Sequence, residues 1–160
     1  MEEPISVLTN IFYIIVGIAV QDILLTPALI GLGITSAGYH WTKEWVWQKW
    51  DVRFMYVVMP LVFYGMFLSD ILLFLTSAIT IYFLWYYHAS STYVSIIWFI
   101  LVVVAGLILG YDMTFIPVFI VAGLCNIPFL FLNWDKVITD MLHGLWHLFT
   151  ALGFSIIIAF

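Results

Sequence analysis

Residues 137–160 read VITDMLHGLWHLFTALGFSIIIAF. The run contains a single carboxylate, Asp140, and no lysine or arginine. A helix needs about 20 predominantly apolar residues to cross the hydrocarbon of a bilayer, and this stretch supplies them. Two histidines interrupt it, His143 and His147, at the i,i+4 spacing that stacks both imidazoles on one helix face. The rest of the chain has the same character. It is 66% hydrophobic and 8% charged over 160 residues, where an ordinary soluble domain carries about 25% charged residues. In water such a chain would expose large apolar patches, so lipid is the expected solvent.

Working outward, further apolar runs are punctuated by short polar breaks. The first extends from about Pro4 to Val20 and stops at Gln21-Asp22. It is preceded by Glu2 and Glu3 rather than by the basic stretch of a signal peptide, and is read as a retained helix. A second runs from about Leu24 to His40, with Pro27 in its first turns. A loop rich in tryptophan and charge, Trp41 to Trp50, leads to a third from Asp51 to Phe67. Ser69-Asp70 opens a fourth that ends near Tyr87, and a polar loop beginning at His88 precedes a fifth over Tyr93–Leu109. Gly110-Tyr111-Asp112 is a turn, Thr114–Leu132 a sixth run, and Asn133-Trp134-Asp135-Lys136 the loop before the seventh.

In lipid every backbone polar group must be satisfied internally, so continuous apolar runs are helices. Alternation of the barrel kind is absent. The expected fold is an all-α polytopic membrane protein, one domain over residues 1–160, built as a bundle of seven transmembrane helices. Many of the tryptophans lie near run ends, as interfacial aromatics do. Neither a repeat nor a low-complexity tract is visible.

The net charge of −5 and the presence of only four basic residues make nucleic acid an implausible partner, because phosphate binding needs clustered cations. Cys125 is the sole cysteine, which rules out an internal disulfide. Seven spans put Lys43, Lys49, Arg53 and Lys136 on one side and Asp22, Asp70 and Asp112 on the other. Positive charge marks the cytoplasmic face, so the N-terminus is expected there. Oligomeric state is not legible.

That topology also places the chemistry. His40 ends the second span, Asp51 begins the third, and His143 and His147 lie two to three turns into the seventh, all at similar shallow depth near one membrane face. Ser36 is one turn deeper than His40 on the same helix face, and Glu3 and Asn10 enter the first span from that side. Ionisable groups within spans are costly and mark function. Three explanations remain open on these residues alone: a metal site, a bis-histidine haem, and a structural hydrogen-bond network. Three neutral imidazoles with one open position form the ligand set of a catalytic zinc site, beside which Asp51 is placed to accept a proton and Ser36 to stabilise an oxyanion. Asp140, one turn before His143, is either an acceptor orienting that imidazole or a solvated interfacial carboxylate. His88 is read as a solvated loop histidine. Gly31, Gly33 and Gly38 are expected to permit close helix packing.

The motifs Ser36-Ala-Gly-Tyr-His40, Asp51 and His143-Gly-Leu-Trp-His147 resemble those of the superfamily that groups alkaline ceramidases with adiponectin and progestin receptors and related seven-helix membrane hydrolases. The run His143 to Gly153, the interval from His40 to Asp51, and Glu3 followed by Asn10 are most similar to the alkaline ceramidase branch. The resemblance implies Zn²⁺ held by His40, His143 and His147, with Ser36 and Asp51 as catalytic groups beside it. It further implies cleavage of a lipid amide in a ceramide-like membrane lipid, releasing a sphingoid base and a fatty acid. Its alternative is a zinc-containing receptor of the adiponectin/progestin type. Alkaline ceramidases carry an acidic calcium-binding loop before the Glu; Met1-Glu2-Glu3 lacks one, which argues against a calcium site. A cytoplasmic metal site also resembles the receptor branch more than the ceramidase branch.

Overall fold

The computed structural model describes residues 2–67, 114–131 and 135–159, with isolated positions between 78 and 110. Among the described residues the protein is all-α, without strands. Apart from those isolated positions the expected fourth and fifth spans lie outside them, as do His88, Asp70, Asp112, Asn133 and Trp134.

The first apolar run is two helices, α1 (Pro4–Thr9) and α2 (Ile11–Val20), meeting at Asn10. The Asn10 side-chain amide donates to the Ser6 carbonyl at 2.8 Å. Such local side-chain bonding competes with the regular helical ladder and marks the break. Helix α3 (Leu25–Thr42) begins where Asp22 Oδ1 accepts from the Leu24 and Leu25 N–H groups at 2.8 and 2.7 Å. It ends where Lys43 turns into the left-handed region at φ 58° and donates back to the Tyr39 carbonyl at 2.7 Å.

The next boundary corrects the sequence expectation. Helix α4 (Trp45–Phe67) starts six residues before Asp51, so most of the Trp41–Trp50 stretch is helix and the connection is only Lys43-Glu44. Thr42 Oγ1 accepts from the Glu44 N–H at 3.1 Å, and the Glu44 carbonyl accepts from Trp47 and Gln48, which starts the new helix at once. Charge and tryptophan mark solvent-facing positions of a helix, not where the helix ends.

Helix α5 (Ile116–Phe131) and helix α6 (Lys136–Ala159) complete the described elements. Asp135 Oδ1 caps α6 by accepting from the Val137 N–H at 2.8 Å. Helix α6 is long and apolar enough to cross a membrane; the α1–α2 run and residues 116–126 are apolar but shorter.

Helix α3 packs against α2 and α4, α5 against α6, and α1 against both α3 and α6. The two helices that carry the histidines are therefore joined through α1. Tyr13, Leu29, Leu32, Val58, Val62 and Phe154 form the core between them. Glycine makes two of these approaches possible. A Cβ on Gly38 would lie 2.6 Å from the Trp47 ring of α4. One on Gly144, the residue after His143, would lie 2.8 Å from the Ile5 side chain of α1. On the outside, Ile15, Ile18, Ile34 and Leu152 stand exposed.

Candidate metal centre

His40 comes from the last turn of α3, and His143 and His147 from one face of α6. All three are buried. Their Nε2 atoms converge: His40 Nε2 lies 3.3 Å from His143 Nε2 and 3.2 Å from His147 Nε2. One ligand nitrogen from each ring falls within 4.8 Å of the others, close enough to hold a metal ion.

The opposite ring nitrogens show why the imidazoles point this way. His40 Nδ1 is 2.5 Å from Glu3 Oε2, His143 Nδ1 is 3.3 Å from Asn126 Oδ1, and His147 Nδ1 is 3.4 Å from the Tyr13 hydroxyl. A carboxylate can only accept, so His40 must carry its proton on Nδ1. The Asn126 amide oxygen favours the same tautomer for His143, and the Tyr13 hydroxyl, able to donate or accept, is compatible with it at His147. With all three protons on Nδ1, three Nε2 lone pairs face one another, which is repulsive unless a cation lies among them. A tetrahedral zinc with bonds of about 2.0–2.1 Å separates its ligand nitrogens by about 3.3 Å, matching both separations at His40. Anchoring the distal nitrogen of each histidine is how metal sites hold ring orientation and tautomer. The donor set fits a metal ion.

Glu3 carries more than one contact. Its backbone N–H donates to the His40 carbonyl at 3.2 Å, and its carboxylate also meets Lys43 Nζ at 2.5 Å. Partial burial alone would push this carboxyl up, but the hydrogen bonds from His40 and Lys43 outweigh it and hold the pKa at about 2. Beside it, Glu2 pairs with Lys136 at 2.6 Å in an exposed ion pair that contributes little.

Asp140 has neither of the two roles expected for it. It is buried, and its carboxylate accepts from the Ile5 and Ser6 N–H groups at 3.0 and 2.9 Å and from the Ser6 hydroxyl at 2.6 Å. It caps α1 from the neighbouring helix, satisfying amides that a helix start leaves without partners. The acceptor for His143 is instead Asn126, which the sequence reading passed over. A lone asparagine within the apolar run 116–131 was the available signal. Tyr13 gave less warning, since tyrosine is unremarkable in such a run.

Ser36 and Asp51 lie next to the cluster. Together with Tyr13, His147 and Thr150 they line a small cavity whose deeper wall is Leu32, Met55, Val58 and Phe154. It has about 10 Å³ of space for the centre of a water molecule, room for about one. Ser36 Oγ and Asp51 Oδ1 are both buried there; the hydroxyl and the carboxylate act on each other, but neither atom makes a well-formed hydrogen bond. Buried polar atoms are nearly always satisfied, so two such atoms on one water-sized cavity point to a bound polar guest. Asn10 Oδ1 is buried without a partner as well, its Nδ2 donating to the Ser6 carbonyl, while Glu3 is engaged by His40 and Lys43.

Comparison with family models, with curated proteins and with solved structures returned no match, so the site stands on its geometry: three buried histidines able to hold a metal ion, inside an all-α chain.

Proposed function

We propose that this chain is a multi-pass membrane hydrolase of the alkaline ceramidase type, with seven transmembrane helices, Zn²⁺ held by His40, His143 and His147, and a ceramide-like lipid amide as substrate. The observation that carries the reading is the pair Ser36 Oγ and Asp51 Oδ1, buried together without a well-formed hydrogen bond on a water-sized cavity that reaches His147. A purely structural histidine network has no need of an unsatisfied carboxylate and hydroxyl at its edge. Supporting the membrane reading are the composition, the spanning length of α6 and the exposed aliphatic side chains of α2, α3 and α6. The N-terminus and the site are assigned to the cytoplasmic face by the distribution of lysine and arginine.

Zinc, when bound, supplies a Lewis acid that lowers the pKa of water and polarises a carbonyl. Asp51 takes the proton of the attacking water and returns it to the nitrogen of the leaving amine. The Ser36 hydroxyl donates a hydrogen bond to the carbonyl oxygen as charge develops on it. Glu3, Asn126 and Tyr13 keep the three imidazoles oriented. The apolar wall of the cavity excludes further water, which strengthens these polar interactions.

Asp51→Asn keeps the volume and removes the base. The purified variant should hold as much zinc as wild type while hydrolysis of ceramides falls by a factor of about 10²–10⁴. Undiminished turnover would sink the role of Asp51. Zinc with no turnover of ceramides or lipid esters in wild type would favour the receptor reading.

A further inference from the structure

The four cations of the chain divide into two pairs. Lys43 and Lys136 are matched to Glu3 and Glu2. Lys49 and Arg53 meet no carboxylate among the described residues. They stand one turn apart on α4, and each lies over a tryptophan ring of the same helix. Lys49 Nζ is 4.8 Å from the Trp45 ring centre, and Arg53 Cζ is 4.9 Å from that of Trp50. Trp45 and Trp50 are exposed, as are Val46 and Val57.

Positions 46, 50, 53 and 57 follow i, i+4, i+7 and i+11, so they form one stripe on the outer side of α4. Arg53 lies about 4.5 Å along the axis from Trp50, and Val57 about 6 Å further. Asp51 and Met55 face the opposite way, towards the cavity and the core. A guanidinium just inside an interfacial tryptophan must have its charge met where the surroundings turn apolar. Its reach, and that of the lysine stem beside it, is towards the headgroup layer.

We propose that Lys49 and Arg53, framed by Trp45 and Trp50, bind the phosphodiester headgroup of an anionic phospholipid on the outer face of α4. The site lies back to back with Asp51, so an anionic lipid is held against the helix that carries the proposed base. This assignment rests on the membrane reading above. The chemistry is that of a planar fork and a point charge sharing one phosphate, with the tryptophan rings covering the glycerol side.

The test uses the full chain in detergent. Retained lipid is measured by native mass spectrometry after addition of phosphatidylglycerol or of phosphatidylcholine with the same acyl chains. Wild type should retain phosphatidylglycerol preferentially. Lys49→Gln with Arg53→Gln should weaken that retention about 30-fold, and Lys49→Arg with Arg53→Lys should preserve it. Equal retention of the two lipids by wild type, a comparison that needs no variant, overturns the site, as does unchanged retention in the glutamine variant. Displacement by inorganic phosphate at the same concentration would mean a free-anion site and also overturn it. Carbonate extraction separates the two levels. Release of the chain from membranes would defeat the membrane reading itself, whereas a chain that stays in the membrane but shows no lipid preference defeats only the headgroup site.

Discussion

The three-histidine cluster and the Ser36–Asp51 cavity adjoin, yet their polar atoms are treated in opposite ways. Each imidazole is tied at its distal nitrogen, to Glu3, Asn126 or Tyr13, and the cluster is held from α1, α2 and α5 at once. Ser36 Oγ and Asp51 Oδ1 have only each other, without a well-formed hydrogen bond. Burying an unsatisfied polar group costs about 1–3 kcal/mol, so a chain does not leave two of them side by side without a compensating use. The anchored region has the character of a fixed holder and the unanchored one that of a place where something arrives and reacts.

The hardest blow to the holder is removal of its α6 half. His143→Ala with His147→Ala should abolish metal binding, read as a fall from about one metal ion per chain to none by elemental mass spectrometry. Full metal content in that variant would mean the convergent Nε2 atoms are not ligands. Next in size is the Asp51→Asn loss of turnover, which strikes the other region and should leave metal content untouched. If both variants lose metal together, the two regions are one and the contrast fails.

Changes behind the ligands should be milder. Glu3→Gln is expected to weaken metal affinity about 10–100-fold, measured by chelator competition. The same pair gives a pH signature. The Glu3 carboxyl is held at about 2 against an ordinary value of 4.5, so its folded pKa is depressed. Its stabilisation is then complete above about pH 4.5 and is lost as the pH falls towards about 2. Acid unfolding curves of wild type and Glu3→Gln should be separated at neutral pH and converge towards pH 2; parallel curves would deny Glu3 this role. The smallest effect on the metal belongs to the cap. Asp140→Ala leaves the Ile5 and Ser6 N–H groups without their acceptor and should cost about 3 kcal/mol, seen as a lower Tm with metal still bound at low temperature. Loss of metal without loss of stability would restore Asp140 to the histidines.

Much of this is visible along the chain. The pairing of His143 with His147 and of Ser36 with His40 follows from helical periodicity alone, and the apolar runs predict helices because no other backbone is satisfied in lipid. The loop expected over Trp41–Trp50 was misplaced because charge tracks solvent exposure, while the helix boundary is set by capping at Thr42 and Glu44. Along the sequence Asp140 has two open readings, an acceptor for His143 or a solvated carboxylate. In the structure the nearer demand is the bare start of α1, brought against α6 by the gap at Gly144.

The sequence by itself determined the helical class, the residue types of the cluster and which of them share a helix face, since these depend only on composition and on a fixed turn of 3.6 residues. That His40 joins the α6 pair was expected from the order of the helices; tertiary structure alone decided the distances at which they meet, that Glu3, Asn126 and Tyr13 stand behind the rings, and that Ser36 and Asp51 share one buried cavity. Those contacts depend on the rotation and depth of each helix against its neighbours, which a repeat along one chain does not encode, because a shift of one residue turns a side chain by about 100°.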